Sequence, residues 1–163
     1  GGSLEQAISQ AGGIALARKL RGESGRVFAF LSDGEFQEGQ TWEAVNAASH
    51  YQLDNLIVYA DCNGQQCDGR LDGVMPIEPL AERLAAFGAE AMAIDGHDVD
   101  ALAKAAALPP CAKPRVVICR TDPCRGLPIL RERAPKLHYV RFKSVDEEQR
   151  YAAALAALSA EGT

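Results

Sequence analysis

Short apolar runs alternate with amphipathic stretches along most of the chain. The runs are rich in β-branched or aromatic side chains, and they predict strands at 27–31, 55–60, 89–94 and 115–120. Apolar residues at helical spacing predict helices at about 4–20, 37–51, 79–87 and 98–107. The strands are apolar on both faces, which is typical of a parallel sheet that helices cover on both sides. We therefore predict an α/β fold with a doubly wound, mostly parallel sheet.

Capping sequences mark the start of the first helix and of a further helix near the end of the chain. Ser3 followed by Gln6 has the form of a capping box, in which two side chains satisfy free N–H groups at a helix start. Ser144 followed by Glu147 repeats this form, and it predicts a final helix that ends near Leu158.

Two long segments without helical or strand spacing are predicted to be loops. Segment 61–76 is polar, and segment 121–138 contains three prolines. Gly12 and Gly13 lie inside the first predicted helix. They either weaken that helix by about 1 kcal/mol each or allow another backbone to come close, and the sequence leaves both readings open.

The composition is that of an ordinary globular protein of one domain. The chain has 163 residues, of which 47% are hydrophobic and 24% are charged, and its net charge is -5. This charge argues against a nucleic-acid surface, and no apolar run is long enough to span a membrane. The five cysteines include no C-x-x-C pair and fit neither a zinc site nor a disulfide framework. We expect reduced thiols in a cytoplasmic protein.

Polar residues follow two of the predicted strands directly. Asp33 comes at the end of strand 27–31, and Asn63 comes shortly after strand 55–60. Because ligands of open parallel sheets bind beyond the carboxyl ends of the strands, we expect both side chains in one crevice if the strands are neighbours. A carboxylate and an amide oxygen suit Mg²⁺, which often also takes phosphate oxygens. Helix capping is the alternative, since Asp and Asn are common in any strand-to-helix turn.

Five motifs in order resemble those of the transketolase family, and in particular the separately encoded N-terminal subunits of bacterial split transketolases. The motifs of the family are Gly-Ser-Leu-Gly-Gln-Gly, Gly-Asp-Gly-Glu-x-Gln-Glu-Gly, Trp-Glu-Ala, Asp-x-Asn-Gly-x-Gln-x-Asp-Gly and Ile-Asp-Gly-His-Asp. They read here GSLEQA at 2–7, SDGEFQEG at 32–39, WEA at 42–44, DCNGQQCDG at 61–69 and IDGHD at 94–98. The resemblance implies that residues 1–163 form a single thiamine-diphosphate-binding domain that lacks its N-terminal segment.

The resemblance also implies a set of metal and diphosphate ligands. Mg²⁺ would be held by the side chains of Asp33 and Asn63 and by the backbone carbonyl of Gln65. Gly34 would give its N–H to the diphosphate, and Glu35, the next residue of the same motif, belongs to the cofactor-binding set.

Other residues match positions around the organic part of the cofactor. By resemblance, Gly2 and Leu4 line its rings, and Cys67 takes a place against the thiazolium. This completes the expected cofactor-binding set.

Three residues match catalytic positions of the family. Glu38 and Glu43 match glutamates at the dimer interface that join a hydrogen-bonded chain toward the aminopyrimidine of the cofactor. His138 matches a histidine that assists proton transfer at the substrate carbonyl.

An activity and a partner follow from the resemblance. The chain would be the N-terminal component of a transketolase-like enzyme that uses thiamine diphosphate and Mg²⁺ to transfer a two-carbon ketol unit from a ketose to an aldehyde. The glutamate that activates the cofactor would come from a pyrimidine-binding C-terminal subunit or domain. We therefore expect a homo- or hetero-oligomer.

Departures from the family pattern keep two other functions open. Ser32 and Glu5 stand where the family has glycine, and the Lys-Thr-x-Lys-Gly-x-Gly run of the family reads RTDPCRG at 120–126. The alternatives are a related thiamine enzyme with a 2-oxo acid donor and a non-catalytic scaffold subunit that binds a partner. Magnesium-dependent cofactor binding in the presence of a partner distinguishes the scaffold from the enzymes.

Overall fold

The structure of the protein, a computed structural model, describes residues 2–161, so residues 1, 162 and 163 of the predicted domain lie outside the described part. In chain order the helices and strands are α1 (Gln6–Leu20), β1 (Val27–Ser32), α2 (Gly39–His50), β2 (Leu56–Cys62), β3 (Gln65–Gln66), β4 (Gly69–Arg70), α3 (Leu71–Val74), α4 (Leu80–Ala86), β5 (Glu90–Asp95), α5 (Val99–Ala107), β6 (Arg115–Arg120) and α6 (Val145–Glu161). Two 3₁₀ segments, Asp33–Gln37 and Pro128–Arg133, lie in the connections.

Four of the strands form a parallel sheet in the order β1-β2-β6-β5. β1 and β2 are neighbours with Leu31 beside Ala60, and β2 and β6 are neighbours with Ala60 beside Ile118. β3 and β4 form a separate antiparallel pair. The prediction of an α/β fold with a parallel sheet between helices is therefore confirmed.

Helices cover the two faces of this sheet and create two apolar layers. On one face the sheet packs against α1, α2 and α4 through fully buried side chains such as Ile8, Val45 and Leu84. On the other face α5 packs against β2 and β6, with Ala105 among Tyr59 and Val117. Because β2 and β6 lie inside the sheet and between both layers, nearly all of their residues are buried.

Helix α1 begins later than its capping sequence predicts. The residue before its first turn is Glu5, which has a left-handed conformation with φ 67° and makes no side-chain capping bond. The prediction of Ser3 as the cap is therefore wrong, because the chain turns sharply at Glu5 before it enters the helix. The second capping box is confirmed in one of its two bonds: the Ser144 hydroxyl accepts the N–H of Glu147 at 3.1 Å, while the Glu147 carboxylate accepts the N–H of Lys143 instead of that of Ser144.

Both predicted loops contain short ordered elements. The β3–β4 hairpin and α3 lie within 61–76, and the 3₁₀ segment Pro128–Arg133 lies within 121–138. Elements of two to six residues bury too few side chains to produce a hydrophobic period, so the sequence pattern did not reveal them. No helix within residues 2–161 has the length and apolar character needed to cross a membrane.

Candidate functional site

The candidate site lies at the carboxyl ends of β1, β2 and β6. Cys62, the last residue of β2, pairs in register with Arg120, the last residue of β6. Asp33 follows the last residue of β1 directly. Because paired residues of neighbouring strands point to the same side of a sheet, the side chains of Cys62 and Arg120 share one face, and together with Asp33 they line one cavity.

Asp33 is a buried carboxylate with an incomplete set of partners. Its side chain is 1% exposed, and its Oδ2 accepts the backbone N–H of Gly64 at 2.7 Å. Its Oδ1 is buried and has no hydrogen-bond partner. Burial raises the pKa of Asp33, while the N–H of Gly64 partly opposes the rise. A buried carboxylate oxygen without a donor requires an explanation, and a bound cation would supply one.

Asn63 is held by hydrogen bonds on both ends of its amide. Its Nδ2 donates to Oδ2 of Asp61 at 2.8 Å, and its Oδ1 accepts the backbone N–H of Gln65 at 2.8 Å. The hydroxyl of Thr121, just beyond β6, donates to Oδ1 of Asp61. The β2 exit and the β6 exit are thus joined through the Asp61 carboxylate.

The cavity at the strand exits has a volume of about 300 Å³. It is lined by Asp33, Cys62, Asn63, Gly64, Gln65, Arg70, Leu71, Asp72, Pro76, Ile77, Glu78 and Arg120. Arg120 and Glu78 form an ion pair of 2.5 Å across it, and the neighbouring guanidinium lowers the pKa of Glu78. The cavity therefore combines a buried anion with a guanidinium that can meet an anionic ligand.

Cys62 is a buried thiol next to this anion. Burial, together with the negative charge of Asp33, raises its pKa to about 12. The thiol consequently stays protonated at neutral pH and behaves as a small apolar side chain in the cavity wall.

The motifs GSLEQA at 2–7 and SDGEFQEG at 32–39 meet near this site. The carboxylate Oε2 of Glu35 accepts the backbone N–H of Glu5 at 2.5 Å, and Gly34 beside it is buried. Gly2 and Leu4, which precede this contact, are exposed. Ser32 has φ -90°, an ordinary extended conformation, so serine fits in place of the glycine of the family.

The remaining predicted residues lie outside the cavity. Cys67 is exposed beside the β3–β4 hairpin, and His138 is exposed with its ring against Tyr139. Their predicted roles stay predictions.

The two predicted interface glutamates lie at the start of α2 and on this helix. Glu38 precedes the first residue of this helix and is half-buried, without a side-chain capping bond. Glu43 is exposed and lines an apolar groove of about 290 Å³ between α1 and α2, together with Gly12 and Gly13. A Cβ added to either glycine would meet no atom within 4 Å, so no other part of the described chain packs closely there.

The residues present fit Mg²⁺ through one carboxylate and neutral oxygens. Within residues 2–161 no three His, Cys, Asp or Glu side chains are grouped so as to hold a metal. The predicted ligands are of another kind, since only Asp33 is a carboxylate while Asn63 and Gln65 would contribute amide and carbonyl oxygens. Magnesium is commonly bound by one or two carboxylates, with water and phosphate oxygens completing the set. The unpartnered Oδ1 of Asp33 agrees with this mode.

Sequence reasoning gave no role to several residues that line or brace the site. Arg120 and Glu78 line the cavity, and Thr121 and Asp61 brace Asn63. One available signal was the charged residue that ends the apolar strand β6 at Arg120, just as Asp33 follows β1. The contact with Glu78 carries no such signal, because it depends on how the connection before α4 folds back over the sheet.

Comparison with known proteins places these features in a family. Residues 1–138 match the family model of the transketolase thiamine diphosphate binding domain. A transketolase family protein of Sinorhizobium fredii is 40% identical over 163 residues, covering 98% of this chain and 57% of the relative. The 6-deoxy-6-sulfo-D-fructose transketolase subunit of a Clostridium strain is 37% identical over 127 residues, covering 77% of this chain and 46% of the relative.

A solved structure agrees with these relatives. The transketolase of Pichia stipitis in complex with sedoheptulose-7-phosphate superimposes with a TM-score of 0.67 at 30% identity, over 74% of this chain and 20% of that chain. The present chain thus spans about half the length of the two relatives and a fifth of this enzyme. By the extent of the family match and the agreement in fold, the chain belongs to the transketolase family, in which it corresponds to the thiamine diphosphate binding domain.

Proposed function

We propose that the chain is the diphosphate-binding component of a transketolase that works with thiamine diphosphate and Mg²⁺. Together with a pyrimidine-binding partner, it would transfer a two-carbon ketol unit from a ketose to an aldehyde. The observation that carries the proposal is the buried Asp33 carboxylate at the strand exit, whose Oδ1 has no partner in the cavity that Asn63 also lines.

The metal role is assigned to three residues of the two strand exits. The side chains of Asp33 and Asn63 and the backbone carbonyl of Gln65 would hold Mg²⁺, and the N–H of Gly34 would hold the diphosphate. The guanidinium of Arg120 in the same cavity supports the binding of an anionic group. When bound, the cofactor supplies the electron sink for breaking a carbon–carbon bond beside a carbonyl.

Proton handling is assigned to groups farther from the metal. Glu38, just before α2, and Glu43, on α2, would extend a hydrogen-bonded chain toward the aminopyrimidine across the interface with the partner. His138 would hold a proton at the substrate carbonyl oxygen, a task that an imidazole can perform as a proton donor or acceptor.

Partner binding is supported by apolar surface that the described chain leaves open. The groove between α1 and α2 is lined mainly by small and apolar side chains, including Gly12, Gly13 and Ala47. Phe30 on strand β1 is 76% exposed and stacks on Tyr59 with ring centroids 5.5 Å apart. Exposed apolar surface of this kind is typical of protein interfaces.

The substrate is expected to be a ketose with an anionic group. One relative is named for 6-deoxy-6-sulfo-D-fructose, and arginine side chains line the cavity of the present chain at Arg70 and Arg120. Both arginines are paired with carboxylates, Arg70 with Asp72 and Arg120 with Glu78. An anionic substrate would have to replace one of these pairs.

Calorimetric titration of thiamine diphosphate tests the proposal. The titration is made with and without Mg²⁺, first on the chain alone and then with a pyrimidine-domain subunit. We expect binding that requires Mg²⁺ and becomes stronger with the partner, followed by ketol transfer from a ketose. If the cofactor binds but turnover is seen only with a 2-oxo acid as the donor, the related thiamine enzyme is favoured. Absence of binding under all four conditions would favour a scaffold that keeps the fold without the cofactor.

A further inference from the structure

We propose that Asp61 is a positioning residue that fixes the orientation of the Asn63 amide, with Thr121 holding Asp61 in place. The inference rests on the proposed function in one respect, since it takes the Asn63 side-chain oxygen as a ligand of Mg²⁺. Neither Asp61 nor Thr121 touches the metal in this arrangement.

The contacts of Asp61 identify it as a brace. One carboxylate oxygen accepts Nδ2 of Asn63 at 2.8 Å, and the other accepts the hydroxyl of Thr121. Each oxygen therefore faces a donor from a different strand exit. Carboxylates that hydrogen-bond to metal ligands orient those ligands and are common around metal sites.

The consequence for Asn63 is a defined amide orientation. A carboxylate only accepts hydrogen bonds, so the side of the amide that faces Asp61 must be the NH₂ group. The amide oxygen is thereby turned to the opposite side, where the N–H of Gln65 reaches it at 2.8 Å. That oxygen retains a second lone pair for a cation. Without the carboxylate only the N–H of Gln65 restrains the amide, which then turns more easily and presents NH₂, a group that a cation repels.

Thr121 is itself fixed by the turn after β5. The N–H of Gly96 donates to the carbonyl of Arg120 at 2.8 Å, and Nε2 of His97 accepts the N–H of Asp122 at 2.8 Å. A Cβ on Gly96 would lie 2.5 Å from Cγ2 of Thr121, so the turn packs directly against this side chain. The residues on both sides of Thr121 are thus anchored, and its hydroxyl is held toward Asp61.

This arrangement gives a role to the IDGHD motif at 94–98. The motif lies on β5 and the turn after it, two strands away from Asn63, and it contributes no side chain to the cavity. Gly96 and His97 hydrogen-bond to the backbone on either side of Thr121, at the exit of β6. Thr121 donates to Asp61, and Asp61 accepts a hydrogen bond from Asn63. Backbone and side-chain contacts thus connect the edge of the sheet to the candidate metal site.

The side-chain amide resonances of Asn63 test the brace in the metal-free protein. They are assigned by their loss in Asn63→Asp. We expect two well-separated proton shifts in the wild-type chain, because one amide proton bonds to a carboxylate. Asp61→Asn and Thr121→Val should move both shifts toward the values of a free amide, whereas Thr121→Ser, which keeps the hydroxyl, should leave them in place. Unmoved resonances in Asp61→Asn would overturn the proposal.

A titration with Mg²⁺ and thiamine diphosphate links the brace to binding. We expect Asp61→Asn to weaken the apparent affinity for Mg²⁺ by roughly tenfold or more, with recovery at high Mg²⁺ and little change in melting temperature. Asp68→Asn, a charge-matched control in the exposed turn between β3 and β4, should bind as the wild type does. Equal affinities of Asp61→Asn and wild type would overturn the positioning role. The wild-type chain could show the two well-separated Asn63 shifts but no Mg²⁺-dependent binding, even with a partner subunit. This result would overturn the proposed function and leave the role of Asp61 intact.

Discussion

The carboxylate of Asp33 accepts the backbone N–H of Gly64 at 2.7 Å, which joins two strand exits 31 residues apart in the chain. This bond occupies one carboxylate oxygen, while the other is buried without a partner. The carboxylate is therefore oriented by the fold and left incomplete on one side. Such an arrangement costs stability in the absence of a cation and favours binding in its presence.

Replacement of Asp33 by asparagine separates binding from folding. Asp33→Asn keeps the shape of the side chain and removes the buried charge. We therefore expect the Mg²⁺-dependent affinity for the cofactor to fall by more than the roughly 10–100-fold that loss of a group behind a metal ligand costs. The metal-free variant should melt at the same temperature as wild type or higher, because burial disfavours the charged form. Calorimetry and thermal melting measure both effects, and Asp68→Asn serves as the control. Normal cofactor binding by Asp33→Asn would show that the metal site is assigned wrongly.

The Cys62 thiol gives the folded protein a distinct alkaline response. Its pKa is raised from 9.0 to about 12 in the fold, so the unfolded chain ionises first as the pH rises. The stability contributed by the protonated thiol is complete below pH 9.0 and is lost between pH 9.0 and about 12. At pH 10 the loss should reach about 1.4 kcal/mol. Urea unfolding of wild type and Cys62→Ser at pH 8 and pH 10 measures it, and an equal loss in both proteins would contradict the assignment.

Gly96 and Gly12 should respond in opposite ways to the same substitution. A Cβ on Gly96 would lie 2.5 Å from the Thr121 side chain and 3.2 Å from a backbone carbonyl, so Gly96→Ala should destabilise the protein by about 1–3 kcal/mol. Gly12 lies inside α1, and a Cβ added to it would meet no atom within 4 Å. Gly12→Ala should therefore stabilise the chain without a partner by about 0.5–1 kcal/mol. Chemical denaturation measures both, and destabilisation by Gly12→Ala would show that this position is packed in the isolated chain.

Glu5 occupies a backbone conformation that favours glycine. Its φ is 67° where the family pattern has glycine, and a residue with a Cβ pays about 1–2 kcal/mol there. Glu5→Gly should remove this cost from the folded state. The greater freedom of glycine in the unfolded chain should cancel about 0.4–1 kcal/mol of the gain in stability. The net gain should raise the melting temperature by a few degrees at most. Glu5→Ala keeps the Cβ and should bring no such gain, and equal melting temperatures for the two variants would contradict the strain.

Glu38 is expected to matter more for assembly than for folding. It makes no side-chain capping bond to α2, so Glu38→Ala should change the free energy of unfolding by no more than about 0.5 kcal/mol. The association of Glu38→Ala with a pyrimidine-domain partner, measured by sedimentation, should be clearly weaker than that of the wild type. Glu148→Ala, on the exposed face of α6, is the control and should assemble as wild type does. Unchanged assembly and turnover in Glu38→Ala would remove this residue from the interface.

Local patterns were sufficient for much of the fold. The apolar runs that became β1, β2, β5 and β6 lie within one or two residues of their predicted bounds, since a buried strand is recognisable from a few consecutive apolar residues. The family motifs in turn indicated Asp33 and Asn63 as site residues. Both kinds of signal are carried by neighbours in the chain.

Other features depended on contacts between distant segments. The left-handed turn at Glu5 arises where the chain meets Glu35, thirty residues away, so its own sequence predicted a cap at Ser3 instead. The role of Asp61 depends on Thr121, which is sixty residues away and comes close because β2 and β6 are paired in register. Neither contact leaves a period or a motif in the sequence.

The sequence by itself determined the α/β class and the strands of the parallel sheet, because burial and turn chemistry act between neighbouring residues. The predicted roles of Asp33 and Asn63 at the strand ends stay predictions. Only the tertiary structure decided which oxygen of Asp33 lacks a partner, that Arg120 and Glu78 meet across the cavity, and that the turn at Gly96 packs against Thr121. The physical reason is that these relationships are set by strand order and register, which bring together side chains that the chain itself holds far apart.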